Sequence, residues 1–380
     1  MKPIRVLVAP DAYKSSLPAA AAASHLATGL KSPGGPACEV LQCPIADGGE
    51  GTIAVLAGLG AVIRRTTVTG PLGEPVAASW ASLNGTAYVE VAQGAGAHHV
   101  TVRNAETCLR ASSAGVGQLL VAALDAGYRR IVLTTGGSSV SDGGAGMLAA
   151  LGARFGPPNA ALGGGGSLSR LGAVDLSGLD RRFHETDMVV AVDVDNPLLG
   201  ADGAARTFAA QKGAGPEEIE LLERGLAHWA DLLVPAGLQK AGQPGAGASG
   251  GIGFAAQAVL GARRVSGADL VLDLLGVEEL LANVDLVVTG EGSLDSQSLS
   301  GKAPLALARR AARRQIPVMT VAGRVELGPP ELREHGIRAS WSLVQLSGST
   351  ASALAEPGRW LEEAGRRIAS CAPHFCGLTR

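Results

Sequence analysis

Five short stretches of this chain couple a carboxylate to glycine, serine, lysine or asparagine. They are Pro10-Asp11-Ala12-Tyr13-Lys14, Asp47-Gly48-Gly49-Glu50-Gly51, the long run Thr134-Thr135-Gly136-Gly137-Ser138-Ser139-Val140-Ser141-Asp142-Gly143-Gly144, Asp193-Val194-Asp195-Asn196, and Gly290-Glu291-Gly292-Ser293-Leu294-Asp295. Most of them follow an apolar run that reads as a strand, and in open α/β sheets ligands bind beyond the carboxyl ends of the strands. Glycine-rich turns let several backbone N–H groups approach one anion, and a following helix N-terminus adds a positive field. Carboxylates and Asn suit Mg²⁺, and Lys supplies a mobile cation. Taken singly, each stretch could be a turn with an acidic N-cap. Caps do not require the Lys and Gly neighbours, so together the five argue for phosphoryl transfer.

The standard nucleotide motifs fail in detail. The nearest approach to a P-loop, Ser296-Gln297-Ser298-Leu299-Ser300-Gly301-Lys302-Ala303, has Ser where the first Gly belongs and Ala after Lys. A G-x-G-x-x-G pattern occurs at Gly245-Ala246-Gly247-Ala248-Ser249-Gly250, but Leu238–Pro244 before it does not read as a strand. Gly144-Ala145-Gly146 is a partial fingerprint without a ribose-binding acid further on. The seven histidines show no zinc spacing, and His98-His99 reads as a surface pair.

The elements that must carry these stretches alternate. Ile4 and Val6–Ala9 read as a buried strand, followed by a helix with Ser16 as N-cap, Pro18 in its first turn, and Leu26 and Leu30 on one face. A strand around Val40-Leu41 leads into the Asp47 loop and another helix. Between about 62 and 91 the style changes to short alternating segments with turn signals, Leu83-Asn84-Gly85-Thr86 being a hairpin cue. Then come a helical stripe of Val116, Leu119, Leu120, Ala123 and Leu124, and the strands Ile131–Thr134 and Met188–Val192. A long amphipathic helix opens at Pro216, with Ile219, Leu222, Leu226, Trp229 and Leu233 on one face, and strands follow at 286–289 and 318–321. Gly163–Gly166 reads as a loop without assigned chemistry. Parallel-style units at both ends imply one discontinuous domain, 1–65 plus 290–380, with a mixed α/β domain, 66–289, inserted.

At 380 residues and 46% hydrophobic, the chain can bury two cores. A net charge of −2 argues against a general nucleic-acid or membrane-surface binder, and the cluster Arg309, Arg310, Arg313 and Arg314 reads as a solvated helix end. Five cysteines without a framework suggest reduced thiols. The tail Cys371-Ala-Pro-His-Phe-Cys376 lacks the second ligand pair of a metal clip. Neither a leader-like apolar segment nor a bilayer-length apolar run is visible, so a cytoplasmic location is expected.

The longest stretches resemble the class I glycerate kinase family of bacterial glycerate and glyoxylate metabolism, over almost the whole chain. They include Ala9-Pro10-Asp11-x-Tyr13-Lys14, Pro44-x-Ala46-Asp47-Gly48-Gly49-Glu50-Gly51-Thr52, Val68-Thr69-Gly70-Pro71-Leu72-Gly73 and Asp142-Gly143-Gly144-Ala145-Gly146-Met147. They continue with Asp193-Val194-x-Asn196-Pro197-Leu198, Gln211-Lys212-Gly213-Ala214, Pro244-Gly245-Ala246-Gly247 and Thr289-Gly290-Glu291-Gly292-x-x-Asp295-x-Gln297. After Glu90-Val91-Ala92 this chain reads Gln93-Gly94 where relatives often have Ala-Ser-Gly. The resemblance implies an α/β fold of two domains, one Rossmann- or flavodoxin-like with a parallel sheet and one with a mixed sheet. It further implies D-glycerate and ATP as substrates bound between them, Mg²⁺ as cofactor, and 2-phosphoglycerate as product; the 3-phospho product or a related small hydroxy acid stays open. On this reading Asp193 is the first choice of general base and Asp47 the second, with Lys14 also catalytic. Glu291 and Asp295 hold the metal. Asp11, Ser138, Ser139, Gly143, Gly144, Asn196, Lys212, Lys302 and Arg324 bind substrate or phosphate. Homo-oligomerisation is left open; neither nucleic acid nor membrane is expected as a partner.

Overall fold

The computed structural model describes residues 2–13, 16–33, 35–156, 163–233, 237–296 and 298–377. In chain order its strands are β1 (Ile4–Pro10), β2 (Cys38–Gln42), β3 (Val62–Thr69), β4 (Pro75–Leu83), β5 (Thr86–Glu90), β6 (Arg130–Thr134), β7 (Arg154–Gly156), β8 (Ala173–Asp175), β9 (Asp187–Ala191), β10 (Arg263–Val265), β11 (Leu286–Leu294), β12 (Val318–Val325) and β13 (Ile337–Ser342). The chain forms two compact units, residues 1–47 with 268–380, and residues 48–267.

The first unit holds a five-stranded, all-parallel sheet in the order β13-β12-β11-β1-β2. Counted within the unit this is the 2-1-3-4-5 arrangement of flavodoxin-like folds, with its topological switch point between β1 and β11. Parallel strands are covered on both faces, which is why β1 is a continuous apolar run. The period of two sorts its side chains: Leu7 and Ala9 join Val287, Val318 and Ala322 in one core, while Ile4, Val6 and Val8 join Leu286, Val288 and Met319 in the other.

In the second core the helices Ala19–Leu30 and Pro357–Phe375 cross closely. A Cβ on Gly29 would overlap the Glu362 carbonyl, and one on Gly365 would press on the Leu26 carbonyl, so the crossing needs a residue without a side chain at both points. The first of these helices starts at Ala19 with Pro18 at its N-cap, not at Ser16. Ser16 instead donates its N–H to the Tyr13 carbonyl in a tight turn, and the fixed proline φ then opens the helix.

The second unit carries a six-stranded mixed sheet, β10-β9-β6-β5-β4-β3, in which β10, β9, β6 and β5 run parallel and β5, β4 and β3 antiparallel. Asn84 (φ 49°) and Gly85 (φ 76°) turn the β4–β5 hairpin, both in the left-handed region that a two-residue hairpin loop of this kind demands. The helix Pro216–Leu233 buries Leu222, Leu226, Trp229 and Leu233 as its stripe implies. Gly165–Arg170, which begins inside the loop read at 163–166, is a 3₁₀ helix.

The units divide upstream of the boundaries read from sequence, 65/66 and 289/290, for a packing reason. The helix Thr52–Gly58 lies on β3, β4 and β5 of the second unit. Ala268, Leu272, Val277 and Leu281 fill the core of the first, ahead of β11. The stretch Ala105–Asp125 is, by length and composition, apolar enough to cross a bilayer, against the expectation that none is. It is built as two helices, Ala105–Arg110 and Ala114–Asp125, and the second buries Val116, Leu119, Leu120, Ala123 and Leu124 in the core.

Replacing Gly29 by Ala should cost about 1–3 kcal/mol through overpacking of the helix crossing. Urea unfolding at constant m-value reads this directly; an unchanged midpoint would contradict the crossing described.

Candidate active site

The four parallel strands of the second unit end level with one another: Glu90 pairs in register with Thr134, Thr134 with Ala191, and Ala191 with Val265. Their exits therefore open from one edge of one sheet. Out of β6 come Thr135–Gly144, out of β9 Val192–Asn196, and out of β10 Ser266 and Gly267. The loop Gly48–Gly51 reaches the same edge, because a Cβ on Gly48 would overlap the Gly267 backbone.

These loops are tied to one another by their backbones. The Gly143 N–H donates to the Gly250 carbonyl (2.9 Å), and the Ser139 N–H to the Ala95 carbonyl (2.9 Å). The Gly136 N–H donates to Ser249 Oγ (3.0 Å), and the Gly247 N–H to the Asn196 carbonyl (3.0 Å). The run Ser249-Gly250-Gly251 is left-handed at three successive residues, with φ of 50°, 67° and 95°. A Cβ at Gly250 would overlap the Val140 carbonyl. Thus the stretch that resembles a dinucleotide fingerprint braces the Ser138–Gly144 loop instead of opening a βα unit.

Beneath that loop lie buried polar groups. Asp142 is 1% exposed, and its carboxylate accepts from Ser113 N (2.8 Å), Ser113 Oγ (2.8 Å), Gly144 N (3.1 Å) and Gly146 N (3.1 Å). Burial pushes this carboxyl up, and those bonds oppose the shift. Lys212 is buried beside it; its ammonium donates to the Val140 carbonyl and, at 3.5 Å, to Ser141 Oγ. Burial lowers its pKa to about 8, opposed by Cys108 and Asp142. Lys212, expected as a phosphate contact, is thus placed under the loop. From the other side, Trp229 Nε1 donates to the Gly143 carbonyl at 2.9 Å.

Asp193 is half-buried, and its Oδ1 accepts from Ser266 Oγ (3.0 Å) and Gly267 N (2.8 Å). Asn196 Nδ2 donates to the Asp202 carbonyl (2.8 Å), and the exposed Asp195 pairs with Arg264 (2.6 Å). Glu90 was not singled out from sequence. It is 2% exposed at the end of β5, and its Oε1 accepts the Ile53 N–H at 2.6 Å. A lone acid closing a short strand carries no local signal of its burial.

The first unit has its own group at the β1/β11 switch point. Tyr13 OH donates to the Val321 carbonyl at 2.5 Å, and the Asp11 N–H to the Gly290 carbonyl at 2.8 Å, which fixes the loop after β1 on β11 and β12. Asp11 is buried and bonds the Ala12 N–H (2.6 Å). Glu291 is 6% exposed, paired with Lys302 (3.1 Å) and accepting from Ser298 Oγ (2.7 Å). Burial raises its pKa while Lys302 and Ser298 oppose the shift, and Asp47 adds a like charge. The Asp295 N–H donates to Ser298 Oγ (3.3 Å). Arg324 is exposed beside Glu326 (3.5 Å). Lys14 lies outside the described residues.

The sequence profile of the glycerate kinase family matches residues 6–372. A glycerate kinase of Bacillus subtilis (strain 168) is 39% identical over 97% of both chains, and a glycerate 2-kinase of Escherichia coli (strain K12) 40% identical, again over 97% of both. A crystal structure of a candidate glycerate kinase 2 from Salmonella typhimurium LT2 matches with a TM-score of 0.75 at 36% identity, covering 98% of this chain and 99% of the other. Fold and relatives together define an α/β kinase. The chain belongs to the glycerate kinase family.

A buried ammonium whose folded pKa lies below its ordinary 10.5 leaves the unfolded chain holding more protons between about 8 and 10.5. The contribution of Lys212 to stability must therefore rise with pH across that window, its penalty being complete below it. Comparing wild type with Lys212→Met by denaturant unfolding from pH 7.5 to 10 should show the difference moving in favour of wild type as pH rises. A pH-independent difference would contradict the buried ammonium.

Proposed function

We propose that this protein transfers the γ-phosphoryl group of ATP to the 2-hydroxyl of D-glycerate. One observation carries the reading: four strand ends level on one sheet edge, whose loops brace one another backbone to backbone around serine and glycine N–H groups. Phosphoryl transfer asks little covalent chemistry of a protein; it asks for position and for donors fixed where charge develops. In the second unit Ser138, Ser139, Gly143 and Gly144 supply the donors for the phosphates. Asp193, oriented by Ser266 and Gly267, takes the proton of the attacking hydroxyl, with Asp47 as the second choice. The choice of the 2-hydroxyl is supported by the Escherichia coli relative, a glycerate 2-kinase.

Mg²⁺ commonly keeps one or two protein carboxylates and takes its other ligands from phosphates and water. Among the described residues no three His, Cys, Asp or Glu side chains are grouped to hold a metal. A dedicated protein cage is thus not part of the reading; the donor set fits an ion held largely by the nucleotide, with Glu291 as one ligand and Asp295 as the second candidate. Bound there, Mg²⁺ would neutralise charge on the β- and γ-phosphates. Lys302, now paired with Glu291, supplies the cation beside it. Five unpaired cysteines fit a reducing compartment and support a cytoplasmic location.

A coupled ADP-release assay should show turnover with D-glycerate, and ³¹P NMR of the product should show 2-phosphoglycerate; the 3-phospho resonance would overturn the regiochemistry. Asp193→Asn should lower kcat by about 10² or more with a smaller change in KM. Near-wild-type turnover would remove Asp193 as base.

A further inference from the structure

The helix Thr52–Gly58 begins without a capping side chain of its own: its N-cap is Gly51, at φ 101°. The first N–H groups of a helix must still find acceptors. Glu90 provides them from another strand. Its Oε1 accepts the Ile53 N–H (2.6 Å), the Gly51 N–H also bonds the carboxylate, and Oε2 accepts from Gln93 Nε2 at 3.3 Å. Gln93 is itself fixed, accepting the Ser79 N–H at 2.9 Å. The Glu90 carboxylate therefore links β4 and β5 to the base of the Gly48–Gly51 loop.

The arrangement is costly. Glu90 is 2% exposed, and among the described residues no cation pairs with it. The charged group facing it is another acid, Glu50, from the loop; beyond Glu50 stands the exposed His98. The segment Val91–Ala95 presents Gln93, the helix Thr52–Gly58 carries no titratable side chain, and β6 presents Thr134, whose buried hydroxyl has no partner among the described residues. A buried carboxylate without a cation is retained against its desolvation cost, as functional groups are. Burial pushes it up to about 7, against the pull of the Ile53 and Gln93 bonds.

We propose that Glu90 is a positioning residue for phosphoryl transfer: its ionised carboxylate stands in for the missing cap, holds the Gly48–Gly51 loop in its working geometry, and releases the loop when protonated. The inference rests on the reading above that this loop belongs to the active site. A folded value above the ordinary 4.5 means that the folded chain holds the proton more tightly than the unfolded one. Stability from this group is then present at low pH and lost as pH rises from about 4.5 to about 7. Above that window the charge costs stability while it positions the loop. Removing the charge should hence spare or raise stability and lower activity, a split that a merely structural side chain would not show.

The test combines pH profiles of kcat/KM for wild type and Glu90→Gln with hydrogen exchange of the full chain, corrected for intrinsic exchange rates. In wild type, protection of amides 51–58 should fall about tenfold from pH 8 to pH 6, and kcat/KM should fall with it. Glu90→Gln should lose both pH dependences, with a Tm at pH 8 no lower than wild type. Wild-type protection independent of pH overturns the inference without reference to any variant, as does a pH dependence that survives in Glu90→Gln. If protection follows Glu90 but kcat/KM does not, the catalytic reading of the loop is what falls.

Discussion

The second unit depends on hydrogen bonds made between loops, not within them. Gly143 bonds the carbonyl of Gly250, Gly136 bonds Ser249, and Gly247 bonds the carbonyl of Asn196. Buried backbone groups must be satisfied somewhere. Here they are satisfied by the neighbouring loop, so no one of the loops can relax alone. The left-handed turn at Ser249–Gly251 is the constraint that makes this possible: it turns the Gly250 carbonyl toward Gly143, while Ser249, a residue with a side chain at positive φ, is held by the Gly136 bond. Backbone in that region is kept only where the surroundings over-determine it.

Charge is arranged on the same principle. Asp142 and Lys212 sit beneath the Ser138–Gly144 loop, one collecting four donors and the other feeding the Val140 carbonyl and Ser141. Neither needs to touch a ligand to matter. Each fixes the dipoles of that loop, and fixed dipoles in a poorly solvated site are worth more than mobile ones in water. Glu90 extends the device to the Gly48–Gly51 loop, and Tyr13 performs the uncharged version in the first unit by binding the Val321 carbonyl.

Much of the frame was legible in the sequence, and the reasons are local. Continuous apolar strands, the Asn84-Gly85 hairpin and the stripe from Leu222 to Leu233 each follow from a short-range rule of period or turn chemistry. Of the glycine and acid clusters, those after Thr134 and at Asp193–Asn196 do leave strands of one sheet, whereas Gly290–Leu294 continues β11 in the sheet of the first unit. Long-range consequences did not read. Lys212 looks like any loop cation until the fold buries it. Glu90 looks like the last residue of a strand. The Gly245–Gly250 spacing cannot say whether its close approach is to a ligand or to another loop. The unit boundaries are set by which sheet the helix Thr52–Gly58 and the residues after Gly267 pack against, which no window of sequence contains.

Interlocked loops at several strand exits are proposed to hold the phosphates. A crystal structure of the full chain with a non-hydrolysable ATP analogue and D-glycerate tests this most directly. Phosphate oxygens should lie within hydrogen-bonding distance of N–H groups or hydroxyls in the Ser138–Gly144 loop. Phosphates seated elsewhere, with that loop untouched, would contradict the proposal.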